Sequence, residues 1–320
     1  MIKRLAWAAV LSASMTAAGT AAAWPTQTIR LVVPFTPGTG IDLVARTIGP
    51  QLSERLGQPV IVENRPGASG NIGTEAVVRA QPDGHTLLVS VNTLVMNRSL
   101  YRKLPYDPVR DLTPITLTSW GSLMLVVHPK APVQSVAELV SVGKQQPGRL
   151  TYGSPGVGTP HHMAMALFGA TTGAELLHVP YTGTAGAVTD LLSGQIQTMF
   201  LPVHVGLQHV KAGKLRALAI SSPERVPQAP DVPTLREAGL KEVDVEMWYG
   251  VFAPRGMPAP IVERLNREIH AALASPQVKA AFESQGMVPA TSTPQEFAAL
   301  VERDAQRWAD VVARAKITAD

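Results

Sequence analysis

Short apolar runs alternate with helix-like patterns along this chain. Several of the apolar runs are followed by a glycine-containing run of turn residues, and then by a helical pattern with one apolar face. Such alternation predicts a parallel sheet covered by helices. The runs typical of buried strands lie at 29–35, 59–62, 86–91, 123–127, 150–153, 176–180, 197–201, 215–220 and 248–254.

The unit of strand, glycine loop and helix occurs four times, twice in each half of the chain. Its loops lie at 36–40, 63–71, 154–160 and 181–186. Ser135 with Glu138 three residues later predicts a capping box at the start of another helix. Two amphipathic helices complete the chain, one around 261–273 and one around 297–312. The pattern therefore predicts two α/β sets.

The four glycine loops are candidate anion sites. Each is followed by a helix N-terminus, where free N–H groups and the macrodipole favour negative charge. In an open α/β sheet, ligands bind at the carboxyl ends of the strands. For any single loop, glycine and threonine are also explained by turn geometry and N-capping. Four such loops, two in each set, favour a small-anion site.

Residues 1–23 have the pattern of a secretory signal peptide. Lys3 and Arg4 form a positive start, an apolar run begins at Leu5, and three alanines end at Ala23. A membrane anchor is the alternative, but the run is short and diluted by Ser, Thr and Gly. We expect cleavage near Ala23, which leaves a mature formal charge of +2 in place of +4.

Composition excludes several classes of function. The 320 residues contain no cysteine, so disulfides, thiolate metal sites and cysteine nucleophiles are excluded. The Lys and Arg residues are scattered, which argues against a nucleic-acid partner. No nucleotide fingerprint occurs, and the pairs His161–His162 and His204–His209 are poorly spaced for a metal. We therefore expect no cofactor and no metal.

An enzyme is the weaker interpretation. Ser154 has no nucleophile-elbow motif, and Asp42 and Asp190, which could act as bases, are better explained as structural carboxylates on helices. The loops offer many neutral donors but only Arg65 as a cation. This pattern suits reversible capture of a carboxylate, and we expect no catalytic residues.

The residues that carry these motifs also resemble a known family. The chain is similar to the periplasmic substrate-binding proteins of tripartite tricarboxylate transporters, the Bug family, along the whole mature chain. The segments that carry the resemblance are 24–28, 32–42 (VVPFTPGTGID), 62–77 (VENRPGASGNIGTEAV), 81–88, 106–115, 152–168 (YGSPGVGTPHHMAMALF), 179–200, 214–240 and 248–266.

The resemblance implies an α/β, two-lobed fold that closes on its ligand like a Venus flytrap, each lobe a mixed, mostly parallel sheet covered by helices. The implied first lobe is discontinuous, 24–121 plus 248–320, and the second is 122–247. Two connections would cross the hinge, near 119–122 and near 246–250.

The resemblance also implies which residues hold the ligand. Loops of the second lobe would bind its carboxylate through backbone amides and hydroxyls, and loops of the first lobe would cover the other side. The matching residues of the second lobe are Ser154, Gly158, Thr159, Thr184, Ala185 and Gly186. Those of the first lobe are Phe35, Thr36, Gly38, Thr39, Asp42, Ala68 and Asn71.

The implied function is a periplasmic solute-binding protein for a small carboxylate, monomeric, that delivers it to integral membrane subunits of such a transporter. A periplasmic sensor that signals to a receptor or kinase is the alternative. Two departures from the family pattern concern the wall around the ligand. Thr39 separates Gly38 from Gly40, and Leu201 to His204 replaces a more acidic or polar segment.

Overall fold

The computed structural model describes residues 24–315 and residue 317. The signal peptide predicted for residues 1–23 lies outside these described residues. In the described part, no helix combines the length and the apolar character that a membrane crossing requires.

Ten strands are found in the described chain. They are β1 (Ile29–Val33), β2 (Val60–Asn64), β3 (Thr86–Val91), β4 (Leu112–Val127), β5 (Thr151–Ser154), β6 (Leu177–Pro180), β7 (Thr198–Pro202), β8 (Arg216–Ile220), β9 (Glu246–Pro254) and β10 (Met287–Pro289).

Ten α-helices cover these strands within the same described residues. They are α1 (Gly40–Leu56), α2 (Asn71–Val78), α3 (Thr93–Leu100), α4 (Val136–Gln145), α5 (Pro160–Thr172), α6 (Thr184–Ser193), α7 (Val203–Lys211), α8 (Ala259–Ala274), α9 (Pro276–Ser284) and α10 (Pro294–Ala315). A 3₁₀ turn, Ala68–Gly70, precedes α2.

The strands form two groups that share β4. The order is β2-β1-β3-β9-β4-β7-β5-β6, and β10 and β8 also pair with β4. The neighbours β2-β1-β3 are parallel, and so are β6-β5-β7. Strands β4 and β9 run antiparallel to their neighbours. The result is a two-lobed α/β architecture with mixed sheets. We call the side of the sheet formed by β1–β3, β9 and β10 the first lobe, and the side of the sheet formed by β5–β8 the second lobe.

Strand β4 is longer than its apolar run predicts. Only 123–127 has a continuous apolar pattern, yet the strand starts at Leu112. Its first part includes Pro114 and alternates threonines with apolar residues, and it pairs with β9. Its last five residues pair with β7 and β8. One strand therefore serves both lobes.

Other elements lie where the sequence predicts them. Strand β3 has the predicted bounds. At the start of α4, the Ser135 side chain accepts the Glu138 N–H, as the capping box predicts. The carboxylate of Glu138 accepts the Gln134 N–H, one residue before the expected partner. Helices α3, α7 and α9 were not predicted, because none is longer than nine residues and each follows directly on another apolar element.

The last helix, α10, packs on β9. Phe297 contacts the ring of Trp248 edge-on at 5.5 Å between centroids, and Phe252 at 4.9 Å. The Trp248 indole N–H donates to the buried carboxylate of Asp304 over 2.7 Å. Burial raises the pKa of Asp304, while the Trp248 hydrogen bond acts in the opposite direction. The C-terminal segment is thereby fixed to a strand of the first lobe.

This packing leaves no space at Gly250, in the middle of β9. A Cβ atom there would lie 2.1 Å from the Phe297 ring and 3.0 Å from the Thr116 carbonyl oxygen. We expect Gly250→Ala to lower the free energy of unfolding by about 1–3 kcal/mol, the usual effect of overpacking a core. Denaturant unfolding measures this change.

Gly49→Ala in α1 is the matched control. The nearest atom to a Cβ at Gly49 is 3.9 Å away, so alanine should be neutral or stabilise the helix by up to about 1 kcal/mol. Equal stability of the Gly250→Ala variant and the wild type would contradict the described packing of α10.

Candidate functional site

Two adjoining pockets open between the lobes. The inner pocket contains residues of both lobes, including two residues of β9. It is lined by 38–41, 202, 204, 205, Phe35, Val91, Thr93, Pro155, 159–161, Thr184, Met247 and Tyr249. The outer pocket lies between the loops themselves; it is lined by Phe35, Thr36, 66–70, Pro155, Gly156 and 181–183. Each encloses about 490 Å³, including space open to solvent.

The first-lobe loop before α1 is held by Asp42. Its carboxylate accepts the Gly38 N–H at 2.9 Å, the Asn64 side-chain N–H at 2.9 Å, and the Arg46 guanidinium at 2.9 Å. Burial alone would raise the pKa of Asp42, but these hydrogen bonds lower it below its ordinary value. Asp42 is 3% exposed and lines neither pocket, so its described role is to fix the loop.

The second-lobe loop before α5 has the same design with a different acceptor. The Gly158 N–H donates to Nδ1 of His162, four residues further along, at 3.2 Å. The Thr159 hydroxyl donates to the Gly156 carbonyl at 2.7 Å, and the Thr39 hydroxyl donates in the same way to Thr36 at 3.1 Å. Both threonine hydroxyls thus brace their own loops.

Ser154 supports the second-lobe loop from below. It is fully buried, its hydroxyl lies 2.7 Å from Nε2 of His178, and it also bonds to the backbone of Gly156. The rings of Tyr152, His162 and His178 stack, with 4.3 Å between the two imidazole centroids. Burial lowers the pKa of His162 to about 3, assisted by His178, and that of His178 to about 4. Both imidazoles are therefore neutral near neutral pH.

The turn before α2 connects the lobes. Its Ser69 hydroxyl donates to the Val157 carbonyl across the cleft at 2.6 Å. Ser69 and Ala68 have positive φ angles of 51° and 46°, which few non-glycine residues adopt. Asn71 follows the turn, and its side-chain oxygen accepts hydrogen bonds from Asn97 and Tyr106, both at 2.8 Å.

Helix α6 presents its N-terminus to the cleft. Gly183 precedes it with φ 129°, and no side chain in the described part of the chain caps the helix. The first N–H groups of a helix have no partner within it, so Thr184, Ala185 and Gly186 carry free donors. Thr184 lines the inner pocket and is half-buried, whereas Ala185 and Gly186 are exposed.

Seven of the thirteen predicted ligand residues line the two pockets. They are Phe35, Thr36, Gly38, Thr39, Ala68, Thr159 and Thr184. The other six line neither pocket; they are Asp42, Asn71, Ser154, Gly158, Ala185 and Gly186. Gly158 is instead closed off by Asn97, whose side-chain oxygen would lie 2.7 Å from a Cβ at that position.

The inner pocket is also lined by residues that were not among the predicted ligand residues. His161, which the sequence analysis considered only as a metal ligand, is buried in the first turn of α5. It lines the pocket with His204, Tyr249 and Met247. The departure of residues 201–204 from the family pattern was the sequence signal for this part of the pocket, since Pro202 and His204 both line it. Neither pocket is lined by a Lys, Arg, Asp or Glu of the described residues, and Arg65 pairs with Glu63.

The fold and the site define a class: an α/β protein of the periplasmic-binding type, with a donor-lined pocket between two lobes. The family model TctC, the tripartite tricarboxylate transporter family receptor, matches residues 44–317. The chain belongs to this receptor family, as the motifs in its loops indicate.

Three relatives illustrate the similarity. Protein BugT of Bordetella pertussis is 37% identical over 305 residues, which cover 95% of this chain and 94% of BugT. The structure of R. palustris Rpa4515 with adipate has a TM-score of 0.87 and 36% identity, covering 92% of this chain and 99% of that one. The structure of MatC (Rpa3494) from Rhodopseudomonas palustris with bound malate has a TM-score of 0.84 and 34% identity. The match covers 90% of this chain and 99% of that one.

The neutral imidazoles make stability depend on pH. Burial holds the pKa values of His162 and His178 below the ordinary 6.5, so the unfolded chain takes up protons that the folded chain does not. As pH falls below about 6.5, we expect each to lower the free energy of unfolding by up to about 1.4 kcal/mol per pH unit. Urea unfolding at about pH 7, 6 and 5 measures the slope.

The variant His162→Asn, His178→Gln keeps hydrogen-bonding atoms near the original Nδ1 and Nε2 positions and removes both titrations. For this variant, we expect the free energy of unfolding to change less steeply with pH, because unfolding takes up about two fewer protons. His128→Gln, outside the stack, should leave the slope closer to that of the wild type. A wild-type stability that does not change over this pH range would contradict neutral, buried imidazoles.

Proposed function

We propose that this protein is a periplasmic solute-binding protein that captures a small carboxylate between its lobes and delivers it to the membrane subunits of a tripartite tricarboxylate transporter. The observation that carries the proposal is a pocket between the lobes lined by hydroxyls and a free helix N-terminus. Family membership supports it, as do the adipate and malate bound by Rpa4515 and MatC. The leader at 1–23 would direct export.

Neutral donors hold the carboxylate in this proposal. The N–H groups at the start of α6 and the Thr184 hydroxyl would meet it from the second lobe, and the loop at 38–40 would cover it from the first. A hydrogen bond to a charged group contributes about 1.5–3 kcal/mol, so three or four offset the desolvation of one carboxylate. Ser154, Gly158 and Asp42 act through the loops that they fix.

Closure would bring the lobes together over the ligand. The Ser69 bond to Val157 already joins the two sides, and the Thr36 hydroxyl oxygen would lie 3.1 Å from a Cβ at Gly183. The lobes would be 24–121 plus 248–320 and 122–247, with bending near 119–122 and 246–250. Closed lobes form a composite surface that membrane subunits can recognise.

Thr184 provides the direct test of the carboxylate site. We expect Thr184→Ser to bind within about threefold of the wild type, and Thr184→Ala to bind about tenfold more weakly because one hydroxyl is lost. Thr184→Pro should weaken binding further, since proline is tolerated at the first position of a helix but lacks the N–H group. Calorimetry would use the tightest ligand from a panel of mono- and dicarboxylates that includes malate and adipate.

Thr189→Ala is the matched control on the same helix. The Thr189 hydroxyl donates to the Ala185 carbonyl and is exposed, so its removal should leave affinity unchanged. Equal affinities across the Thr184 series would show that the start of α6 does not hold the carboxylate.

The transport partner is tested separately. We expect the ligand-loaded mature protein to co-purify with integral membrane subunits of its transporter, and the ligand-free protein to do so less. Capture of a receptor or kinase in place of transport subunits would support a sensory role.

A further inference from the structure

The inner pocket contains two histidines that the carboxylate site does not use. His161 lies in the first turn of α5 and His204 in the first turn of α7. Both ring nitrogens of His161 and Nε2 of His204 are buried and have no hydrogen-bond partner among the described residues. A buried polar atom without a partner costs about 1–3 kcal/mol. A ligand group that formed hydrogen bonds with these nitrogens would therefore remove this cost and increase the affinity.

Tyr249 adds a third polar group from a different element. Tyr249 belongs to β9 and is buried, and among the described residues its hydroxyl has the Met247 sulfur as its one hydrogen-bond partner, at 3.6 Å. A thioether is a weak acceptor, so the hydroxyl keeps most of its hydrogen-bonding capacity. Helices α5 and α7 and strand β9 thus present three polar groups to one pocket whose other walls are mainly apolar.

These groups are uncharged. Burial lowers the pKa of His161 to about 3, assisted by the neighbouring His204, and burial lowers the pKa of His204 to about 4. A neutral imidazole has one N–H donor and one acceptor nitrogen. Because no Lys or Arg of the described residues lines the pocket, a second carboxylate would enter without a compensating charge. An alcohol or phenol hydroxyl both donates and accepts a hydrogen bond, so it matches the wall formed by His161, His204 and Tyr249.

We propose that His161 and His204, with Tyr249, select a carboxylate whose far end carries an uncharged hydroxyl group. This inference rests on the proposed function, since it assumes that the other end of the ligand is held at α6. It assigns the ligand to the hydroxy acids and separates this chain from Rpa4515, whose structure holds the dicarboxylate adipate.

Two matched series of acids test the selection on the wild-type protein. One is hexanoate, omega-hydroxyhexanoate and adipate; the other is benzoate, para-hydroxybenzoate and terephthalate. Within a series only the far group changes, from hydrogen to hydroxyl to carboxylate. We expect the hydroxy acid of at least one series to bind about tenfold more tightly than both of its relatives, as calorimetry would show.

His204→Leu then links the preference to this wall. We expect it to weaken hydroxy-acid binding about tenfold and to leave the unsubstituted acid within about threefold. His209→Leu is the control, because it makes the same change five residues further along α7, where the side chain lines neither pocket. His161→Leu should act like His204→Leu, and thermal unfolding would check that each variant folds.

The outcomes separate this inference from the proposed function. Equal binding of all three acids in both series, or preference for the dicarboxylate, would overturn the hydroxyl selection and leave carboxylate capture intact. The selection is also overturned if His204→Leu keeps the full preference for the hydroxy acid. Failure of every acid to bind the wild type would overturn both.

Discussion

Strand β4 belongs to both lobes at once, and the arrangement of the site depends on it. Residues 112–122 pair with β9, and 123–127 pair with β7 and β8. Strand β9 begins beside Ser122, where the pairing of β4 changes from one lobe to the other. The backbone hydrogen bonds of a sheet resist sliding but tolerate bending and twist. In the proposed closure, relative motion of the lobes would be restricted largely to bending near this point, and the glycine loops would stay opposite one another.

Two of the loops that face the cleft, those before α1 and α5, repeat one hydrogen-bonding pattern in the two lobes. A glycine N–H donates to a side chain four residues on, and the next threonine donates back to a carbonyl of the same loop. The acceptor differs: Asp42 in the first lobe and His162 in the second. Arg46 and Asn64 satisfy the carboxylate of Asp42, whereas the neutral imidazole adds no negative charge beside the pocket. This difference supports the proposal that the second lobe holds the carboxylate.

The local sequence pattern predicted the helices and strands more reliably than it predicted which residues line the pocket. The apolar run at 86–91 and the spacing along α10 each identify an element without reference to the rest of the chain. The first part of β4 could not be found in this way, because its threonines and Pro114 are stabilised by pairing with β9, far along the chain. Resemblance identified the loops. It could not show that Ser154 is fully buried beneath its loop, since that depends on the packing of His178 from the next strand.

The chemistry of the pocket explains why its ligand would be released as well as held. A buried ion pair with Arg or Lys would oppose opening, because separating it leaves a charge in an apolar site. Here the proposed partners are N–H groups, hydroxyls and imidazoles, each of which water can satisfy when the lobes separate. Affinity then depends on exclusion of water at closure, while recognition depends on the match between donors and acceptors. If bending of β4 and β9 sets closure, as proposed, and the histidines of α5 and α7 set recognition, substitutions in the two places would change the two properties independently.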